Sequence, residues 1–302
     1  MTALALLFPG QGSQSVGMGK ELCAASPAAR DVFERADAAL GFALSRLCFE
    51  GPEDELKRTA NTQPALLAHS IAAFRDLEAR FPERIAGAAF AAGHSLGEYS
   101  ANVAAGALEL EDALRLVRRR GELMQEAVPA GVGAMAAVIG LPPEAVEGAC
   151  REAAGSEIVA PANFNSPEQT VIAGHAAAVA RAGERCVAAG AKRVIPLPVS
   201  APFHCALMAP ARERMRPLLE SAAFSAARVP VVTNVDAAPA SAADALRDAL
   251  VRQIDSPVRW VESIRRLASD GVTRALEIGP GNVLAGLVRR IDRRIAVEGY
   301  AG

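Results

Sequence analysis

Apolar and polar residues alternate in blocks along most of the chain, and the block lengths separate strands from helices. Short apolar runs predict buried strands at residues 3–8, 86–92, 229–233, 273–278 and 295–299. Longer stretches with apolar residues three and four positions apart predict helices at 28–40, 52–59, 64–80, 98–107, 109–128, 206–221, 243–254, 258–269 and 283–291. Strands that alternate with helices predict a mostly parallel sheet covered on both faces.

The middle of the chain has a different pattern. Strand-like runs occur at residues 134–140, 158–165, 169–174 and 192–199, and helical runs at 142–154 and 175–189. Their order is β-α-β-β-α-β, which is typical of a ferredoxin-like unit. We therefore expect a small domain at 131–199, inserted into a larger domain made of 1–130 and 200–302.

Composition narrows the function classes. The chain has 302 residues, of which 51% are hydrophobic, and a net charge of −2, so we expect no nucleic-acid partner. Apolar runs are shorter than the ~18 residues of a membrane span, and no basic segment precedes the first strand as in a signal peptide. The five cysteines form no C-x-x-C pair. An odd number of unpaired thiols predicts a reduced, cytoplasmic protein without a zinc site or disulfide framework.

The sequence GHSLG at residues 93–97 has the G-x-S-x-G pattern and lies between a predicted strand and a predicted helix. In this context the pattern forms a sharp turn that exposes the serine hydroxyl. Gly93 and Gly97 leave room for the turn, and the free N–H groups at the start of the helix are directed at the same point. The context favours Ser95 as a nucleophile for acyl transfer over a chance match of common residues.

Arg120 lies on or beside the apolar stripe of the helix predicted at 109–128. It follows Val117 by three residues and precedes Met124 by four, so the three side chains share one side of the helix. The neighbouring Arg118 and Arg119 are expected on a solvated face. A buried guanidinium needs an anion. An internal carboxylate and a substrate carboxylate, which arginine binds bidentately, fit the spacing equally well.

His204 is the best candidate for a general base among the four histidines. It follows a predicted strand and precedes a helical run. His94 adjoins Ser95 on the tight turn and should point away from its hydroxyl, His69 lies within a helix, and His175 opens an exposed helix. A histidine in a loop is often structural or solvated, so the spacing alone leaves both interpretations open.

Six motifs together give the chain a specific resemblance over nearly its whole length. They are FPGQGSQ at 8–14, GHSLGEYS at 93–100, RGELMQ at 120–125, NFNSP at 163–167, HCALM at 204–208 and GPG at 279–281. In this order they resemble the malonyl-CoA:acyl carrier protein transacylase family of fatty acid synthesis. The resemblance implies an α/β-hydrolase-like large domain with a ferredoxin-like insertion, which agrees with the pattern of elements.

The resemblance also implies roles for the candidate residues. Ser95 would be the nucleophile and His204 the base, and Arg120 would hold the malonyl carboxylate. The backbone N–H groups of Gln11 and Leu96 would form the oxyanion hole.

Three further residues would support the site by the same resemblance. The main-chain carbonyl of Gln253 would orient His204 in place of a triad acid, on a weaker match around residues 253–260. Asn165 lies in a motif near the family's active site. In related acyltransferases a phenylalanine directly before the active histidine tends to accompany malonyl preference, and Phe203 occupies that place, although members with serine there share the activity.

The implied reaction transfers a malonyl group from malonyl-CoA to acyl carrier protein through a malonyl-serine intermediate. The implied partners are these two substrates, with no cofactor or metal, and we expect a monomer. The alternatives are a serine thioesterase or esterase, the malonyl-transfer subunit of a malonate decarboxylase, an acyltransferase of a polyketide system, and a carrier-binding module without catalysis. Arg120 argues against a general esterase, and an intact set of Ser95, His204 and Arg120 argues against a non-catalytic module.

Overall fold

The computed structural model describes residues 3–199 and 201–302. The strands are β1 (Ala3–Phe8), β2 (Ala88–Gly93), β3 (Gly133–Ile139), β4 (Val159–Ser166), β5 (Gln169–His175), β6 (Arg193–Pro196), β7 (Val231–Val232), β8 (Pro239–Ala240), β9 (Val272–Ile278) and β10 (Ala296–Tyr300). The helices are α1 (Lys20–Ala25), α2 (Pro27–Leu40), α3 (Leu44–Glu50), α4 (Glu53–Lys57), α5 (Thr59–Arg80), α6 (Pro82–Ile85), α7 (Gly97–Ala104), α8 (Leu110–Glu126), α9 (Pro143–Ala154), α10 (Ala176–Ala188), α11 (Ala209–Ser221), α12 (Ala243–Gln253), α13 (Trp260–Ser269) and α14 (Val283–Ile291). A 3-10 turn, Ala206–Met208, precedes α11.

The larger sheet has the strand order β10-β9-β1-β2-β7-β8. Its strands run parallel except for β8, which pairs antiparallel with β7. Strand β1 is buried on both faces: Leu4, Leu6 and Phe8 pack in one apolar cluster, and Ala5 and Leu7 pack in the other. This is the alternation that a central strand with helices on both sides requires.

The smaller sheet has the order β4-β5-β3-β6, and its pairings are antiparallel. Helices α9 and α10 cover one face of it and form a separate apolar cluster. The predicted fold class, a mostly parallel sheet with a smaller β-α-β-β-α-β unit, is confirmed. The division of the chain into domains stays a prediction, and its boundary at Ser200 lies outside the described residues.

Several element bounds differ from those that the hydrophobic pattern predicts. Strand β6 ends at Pro196, and Pro198 soon after it also lacks the N–H group that a ladder needs. The strand predicted at 229–233 is reduced to the two residues of β7. The helices α1, α3 and α6 and the strand β8 are too short to produce a recognisable period. No helix in the described ranges is long and apolar enough to cross a membrane.

Candidate active site

The G-x-S-x-G sequence forms a tight turn between β2 and α7. Ser95 lies at its apex with a backbone φ of 51°, a left-handed conformation that is uncommon for serine. Asn234 holds the turn from the neighbouring strand end. Its Oδ1 accepts a hydrogen bond from the Ser95 N–H at 2.7 Å, and its Nδ2 donates to the Gly93 carbonyl at 2.7 Å. The strained nucleophile turn is therefore stabilised by a side chain that follows β7.

The two glycines of the turn are required by close backbone contacts. A Cβ atom on Gly93 would lie 1.9 Å from the carbonyl carbon of Gly97. A Cβ atom on Gly97 would lie 2.1 Å from the Phe8 carbonyl oxygen at the end of β1. Because these neighbours are backbone atoms, they cannot rotate away, so larger residues would displace the turn that presents Ser95.

Ser95 and His204 form a hydrogen-bonded pair. The Ser95 Oγ lies 2.7 Å from His204 Nε2, and His204 Nδ1 lies 2.9 Å from the main-chain oxygen of Gln253. A carbonyl oxygen only accepts, so Nδ1 carries the proton and Nε2 is free to accept the serine proton. The structure thus brings together the three groups predicted as the nucleophile, the base and the orienting carbonyl.

His204 is held in its neutral form. Its side chain is buried, and burial lowers the pKa of the imidazole to about 3, with the Arg120 cation acting in the same direction. The Gln253 carbonyl opposes this change but is the weaker influence. The imidazole is consequently unprotonated at neutral pH, as the predicted role of proton acceptor requires.

Arg120 is buried with its guanidinium directed at the nucleophile. Its Nη2 donates to Ser95 Oγ at 3.1 Å and to Gln253 Oε1 at 2.8 Å, and its Nη1 donates to Gln63 Oε1 at 2.8 Å. Within residues 3–199 and 201–302, no carboxylate oxygen lies within 4.0 Å of the Arg120 guanidinium nitrogens, which is the distance limit for a salt bridge. A directly paired internal carboxylate therefore does not hold the Arg120 guanidinium. It was one of the two anions that the spacing allowed.

Close packing of α5 and α8 positions Arg120. A Cβ atom on Gly121 would lie 2.6 Å from the Ala60 Cα, so the two helices touch at this point. Arg119 faces outward and pairs with Glu122, as expected for a solvated face. Arg118 differs from that expectation: its Nη1 donates to the Ala60 carbonyl at 3.1 Å, so it fastens the same helix pair.

A cavity of about 120 Å³ lies beside these groups, between the two sheets. One water molecule needs only about 10–15 Å³ of such space, so the cavity has room for several non-hydrogen groups, the scale of a short acyl chain. Ser95, His204 and Arg120 supply its polar wall, and Phe203 lies on the lining. Met135 and Asn163, among others, line it from the smaller sheet.

The remaining predicted residues lie around this cavity. Gln11 is part of the lining, and Leu96 is the residue before the first turn of α7. Their oxyanion-hole role stays a prediction. Asn165 does not line the cavity; its Oδ1 lies 2.8 Å from Nε2 of His94, and the His94 ring packs edge-on against Trp260. Asn165 therefore contacts the turn through His94, and no hydrogen bond joins it to Ser95 in the described chain.

The sequence did not predict three buried polar residues of the site: Gln63, Glu98 and Asn234. Gln63 is a polar residue within the mostly apolar helix α5, and Asn234 follows a strand end of the parallel sheet, where ligand sites tend to form. Glu98 is part of the GHSLGEYS motif. Each of the three residues has a weak sequence signal of this kind, but only the contacts with Arg120, Ser95 and Gln253 show that they belong to the site.

Comparisons with known proteins agree with this geometry. The family described as "Acyl transferase domain" matches residues 5–297. The malonyl CoA-acyl carrier protein transacylase of Escherichia coli (strain K12) is 52% identical over 291 residues, which cover 96% of this chain and 93% of the relative.

Solved structures are similar over the whole chain. The acyl-carrier-protein S-malonyltransferase of Bartonella henselae has a TM-score of 0.97 at 46% identity, covering 100% of this chain and 96% of that one. A malonyl-transacylase solved in complex with its type II PKS acyl-carrier protein has a TM-score of 0.95 at 49% identity, covering 99% of this chain and 96% of that one.

The fold and the comparisons thus define an acyltransferase, with a strand–turn–helix at Ser95. The chain belongs to the acyl transferase family, and the resemblance to the malonyl-CoA:acyl carrier protein transacylases that its motifs indicated is confirmed.

Proposed function

We propose that this protein transfers the malonyl group of malonyl-CoA to the phosphopantetheine thiol of acyl carrier protein, through a malonyl ester on Ser95. One observation carries the proposal: a buried guanidinium without a carboxylate partner in the described chain lies 3.1 Å from the nucleophilic oxygen. A substrate that brings its own carboxylate into the cavity would pair with Arg120. The names of the relatives and the complex with a carrier protein support the same reaction.

In the first half-reaction, Ser95 Oγ attacks the thioester carbonyl while its proton passes to Nε2 of His204. The Gln253 carbonyl stabilises the resulting imidazolium through Nδ1–H. We assign the tetrahedral oxyanion to the backbone N–H groups of Gln11 and Leu96, each worth roughly 2.7–4 kcal/mol in comparable sites. When the carbon–sulfur bond breaks, His204 returns the proton to the CoA sulfur, and the malonyl group remains on Ser95.

The second half-reaction reverses these steps with a different thiol. His204 takes the proton of the carrier's phosphopantetheine thiol, and the sulfur attacks the malonyl ester. Collapse of the intermediate breaks the ester bond, and the proton passes from His204 to Ser95 Oγ. Atoms and charge balance in this exchange without a further reactant, so we propose that the two thioesters are its substrates and that it needs no cofactor.

Basic groups on one surface are our candidates for binding the acidic carrier protein. Lys192 lies 3.3 Å from Glu168, and Arg290 Nη1 donates to Gln169 Oε1 at 3.3 Å, so both basic groups converge on the turn before β5. Charge reversal at Lys192 and Arg290 should raise the KM for carrier protein and leave the KM for malonyl-CoA unchanged. An unchanged KM for carrier protein would exclude this surface.

We further propose a cytoplasmic monomer. The five cysteines are buried as free thiols, which suits a reducing compartment. Light scattering during size-exclusion chromatography tests the monomer directly, because the measured mass of a dimer would be twice the 31.3 kDa chain mass.

The decisive experiment is an intact-mass measurement after brief incubation with malonyl-CoA or with acetyl-CoA. We expect a malonyl adduct on Ser95 that added holo-acyl carrier protein discharges, and a much weaker acetyl adduct. Release of CoA without a lasting adduct would indicate a thioesterase. Comparison of fatty-acid and polyketide carrier proteins as acceptors would then decide the pathway.

A further inference from the structure

Glu98 is a fully buried carboxylate that the proposed reaction does not use. It lies on α7, three residues after Ser95. Its Oε2 accepts hydrogen bonds from the Asn234 backbone N–H at 2.9 Å and from Gln253 Nε2 at 2.8 Å. Its Oε1 has no partner in the described part of the chain. A buried carboxylate is costly, so its retention beside the nucleophile needs an explanation.

Gln253 connects this carboxylate to Arg120. Its Nε2 donates to Glu98 and to the Ser95 carbonyl, the latter at 2.9 Å, and its Oε1 accepts from Arg120 at 2.8 Å. In a side-chain amide, the NH₂ end donates up to two hydrogen bonds, and the oxygen end accepts them. The three contacts therefore determine which end of the amide faces Arg120.

The arrangement separates two opposite charges by one neutral amide. The amide oxygens of Gln63 and Gln253 hold the guanidinium, while Glu98 acts on Arg120 only through space. Of the five N–H groups of an arginine, Nε–H has no partner among the described residues. The cation is thus oriented by neutral groups, and its charge is not cancelled by a carboxylate in direct contact.

We propose that the Gln253 side chain maintains acyl specificity, because its amide keeps the Glu98 carboxylate away from Arg120 and leaves the guanidinium available to a carboxylate on the acyl group. Gln253 is a positioning residue for Arg120. The inference rests on the proposed malonyl transfer. It assigns to the Gln253 side chain a task separate from that of its main-chain carbonyl, which holds His204.

Exchanging the two side chains tests the proposal without changing composition or net charge. In the double variant E98Q/Q253E, the carboxylate would contact Arg120 directly. The exchange also removes the hydrogen bonds that the Ser95 carbonyl and the Asn234 N–H make to these side chains, so the readout is the ratio of the two acyl donors, which a general loss of activity leaves unchanged. We expect the ratio of kcat/KM for malonyl-CoA to that for acetyl-CoA to fall at least tenfold, because Arg120 would be neutralised internally. Assays at pH 8 suit the comparison, since burial raises the pKa of Glu98 to about 7.

Two further variants separate the effect of placing a carboxylate on Arg120 from the effect of removing the Glu98 carboxylate. The single variant E98Q keeps an oxygen that accepts from Asn234 and Gln253, and we expect its malonyl-to-acetyl ratio to stay at or above that of the parent protein. Gln63→Glu brings a carboxylate onto Arg120 from the other side, through the 2.8 Å contact with Nη1, and should lower the ratio as the exchange does. Gln63→Glu also decides the question if the exchange variant does not fold.

Glu277 supplies a matched control. It is equally buried, and its two oxygens accept the backbone N–H groups of Leu284 and Ala285. Glu277→Gln should leave the malonyl-to-acetyl ratio unchanged. The proposal would be overturned if folded E98Q/Q253E or Gln63→Glu kept the malonyl-to-acetyl ratio of the parent protein. It would also be overturned if E98Q alone lowered this ratio as much as the exchange does. Failure of the parent protein to form a malonyl adduct would instead refute the proposed function.

Discussion

The Arg120 guanidinium and the Ser95 hydroxyl are in direct contact, with Nη2 3.1 Å from Oγ. The contact places a buried cation beside the nucleophile, and these residues are 25 positions apart in the chain. It has two chemical consequences. An acyl group attached to Ser95 would lie within reach of the cation, and the positive charge adds to burial in lowering the pKa of the neighbouring His204.

Arg120→Ala should depress malonyl transfer much more than acetyl transfer. A bidentate pair of charge-assisted hydrogen bonds is worth roughly 3 kcal/mol, so we expect about a hundredfold loss in kcat/KM for malonyl-CoA. Arg119→Ala is the matched control, since that neighbour is half-buried, pairs with Glu122 and does not line the cavity. Equal losses for both donors in the Arg120 variant would remove Arg120 from substrate selection.

Ser95→Ala should abolish the covalent intermediate. Without Oγ no ester can form, and we expect kcat to fall by about 10⁴-fold or more. Intact mass after incubation with malonyl-CoA measures the adduct. Ser100→Ala on the following helix is the control, because Ser100 is buried and its hydroxyl has no partner in the described chain. A surviving adduct in the Ser95 variant would assign the nucleophile elsewhere.

The rate profile should lack an acid limb near the ordinary histidine pKa of 6.5. Burial and the Arg120 cation lower the pKa of His204 to about 3, so the neutral base persists well below neutral pH. We expect kcat/KM for acetyl-CoA to show no midpoint at this ordinary value. In Arg120→Met the cation is lost, and any acid limb should move to higher pH. A parental midpoint at the ordinary histidine pKa would contradict the assignment of His204.

The buried histidine also makes stability depend on pH. Between pH 6.5 and about 3 the unfolded chain protonates His204 and the folded protein does not, so the free energy of unfolding falls as the pH falls. One such group contributes about 1.4 kcal/mol per pH unit. Burial also lowers the pKa of His69 and His94, which act in the same direction, whereas the raised pKa of Glu98 opposes them.

Urea unfolding of the parent protein and His204→Gln at several pH values isolates this contribution. Below pH 6.5 the parent should lose stability more steeply than the variant, by about 1.4 kcal/mol per pH unit. Parallel curves for the two proteins would mean that His204 titrates alike in the folded and unfolded states.

Gly97→Ala should destabilise the protein by roughly 2–4 kcal/mol and inactivate it, because the new Cβ would overlap the Phe8 carbonyl oxygen. Gly148→Ala provides the contrast. Its Cβ would meet only the end of the Arg151 side chain at 3.8 Å, in the interior of α9, so we expect a gain of about 1 kcal/mol. Thermal unfolding of both variants measures the difference, and similar melting temperatures would refute the packing argument.

The sequence by itself determined the alternation of strands and helices, the strand–turn–helix around Ser95 and the position of Arg120 on an apolar face. These are local properties, since hydrophobic period and glycine spacing act over a few residues. The resemblance carried by six motifs added the role expected of His204, which spacing alone left open, and a weaker match around residues 253–260 added the Gln253 carbonyl.

Only the tertiary structure decided what surrounds Arg120. The choice between an internal and a substrate carboxylate depended on the packing of α5 against α8 and on the side chain of Gln253, more than a hundred residues away in the chain. The pairing of β2 with β7 brought Asn234 to the turn, where it contacts Ser95 and Glu98. Such contacts join distant segments through buried hydrogen bonds, and no local pattern of hydrophobic and polar residues encodes which partners will meet.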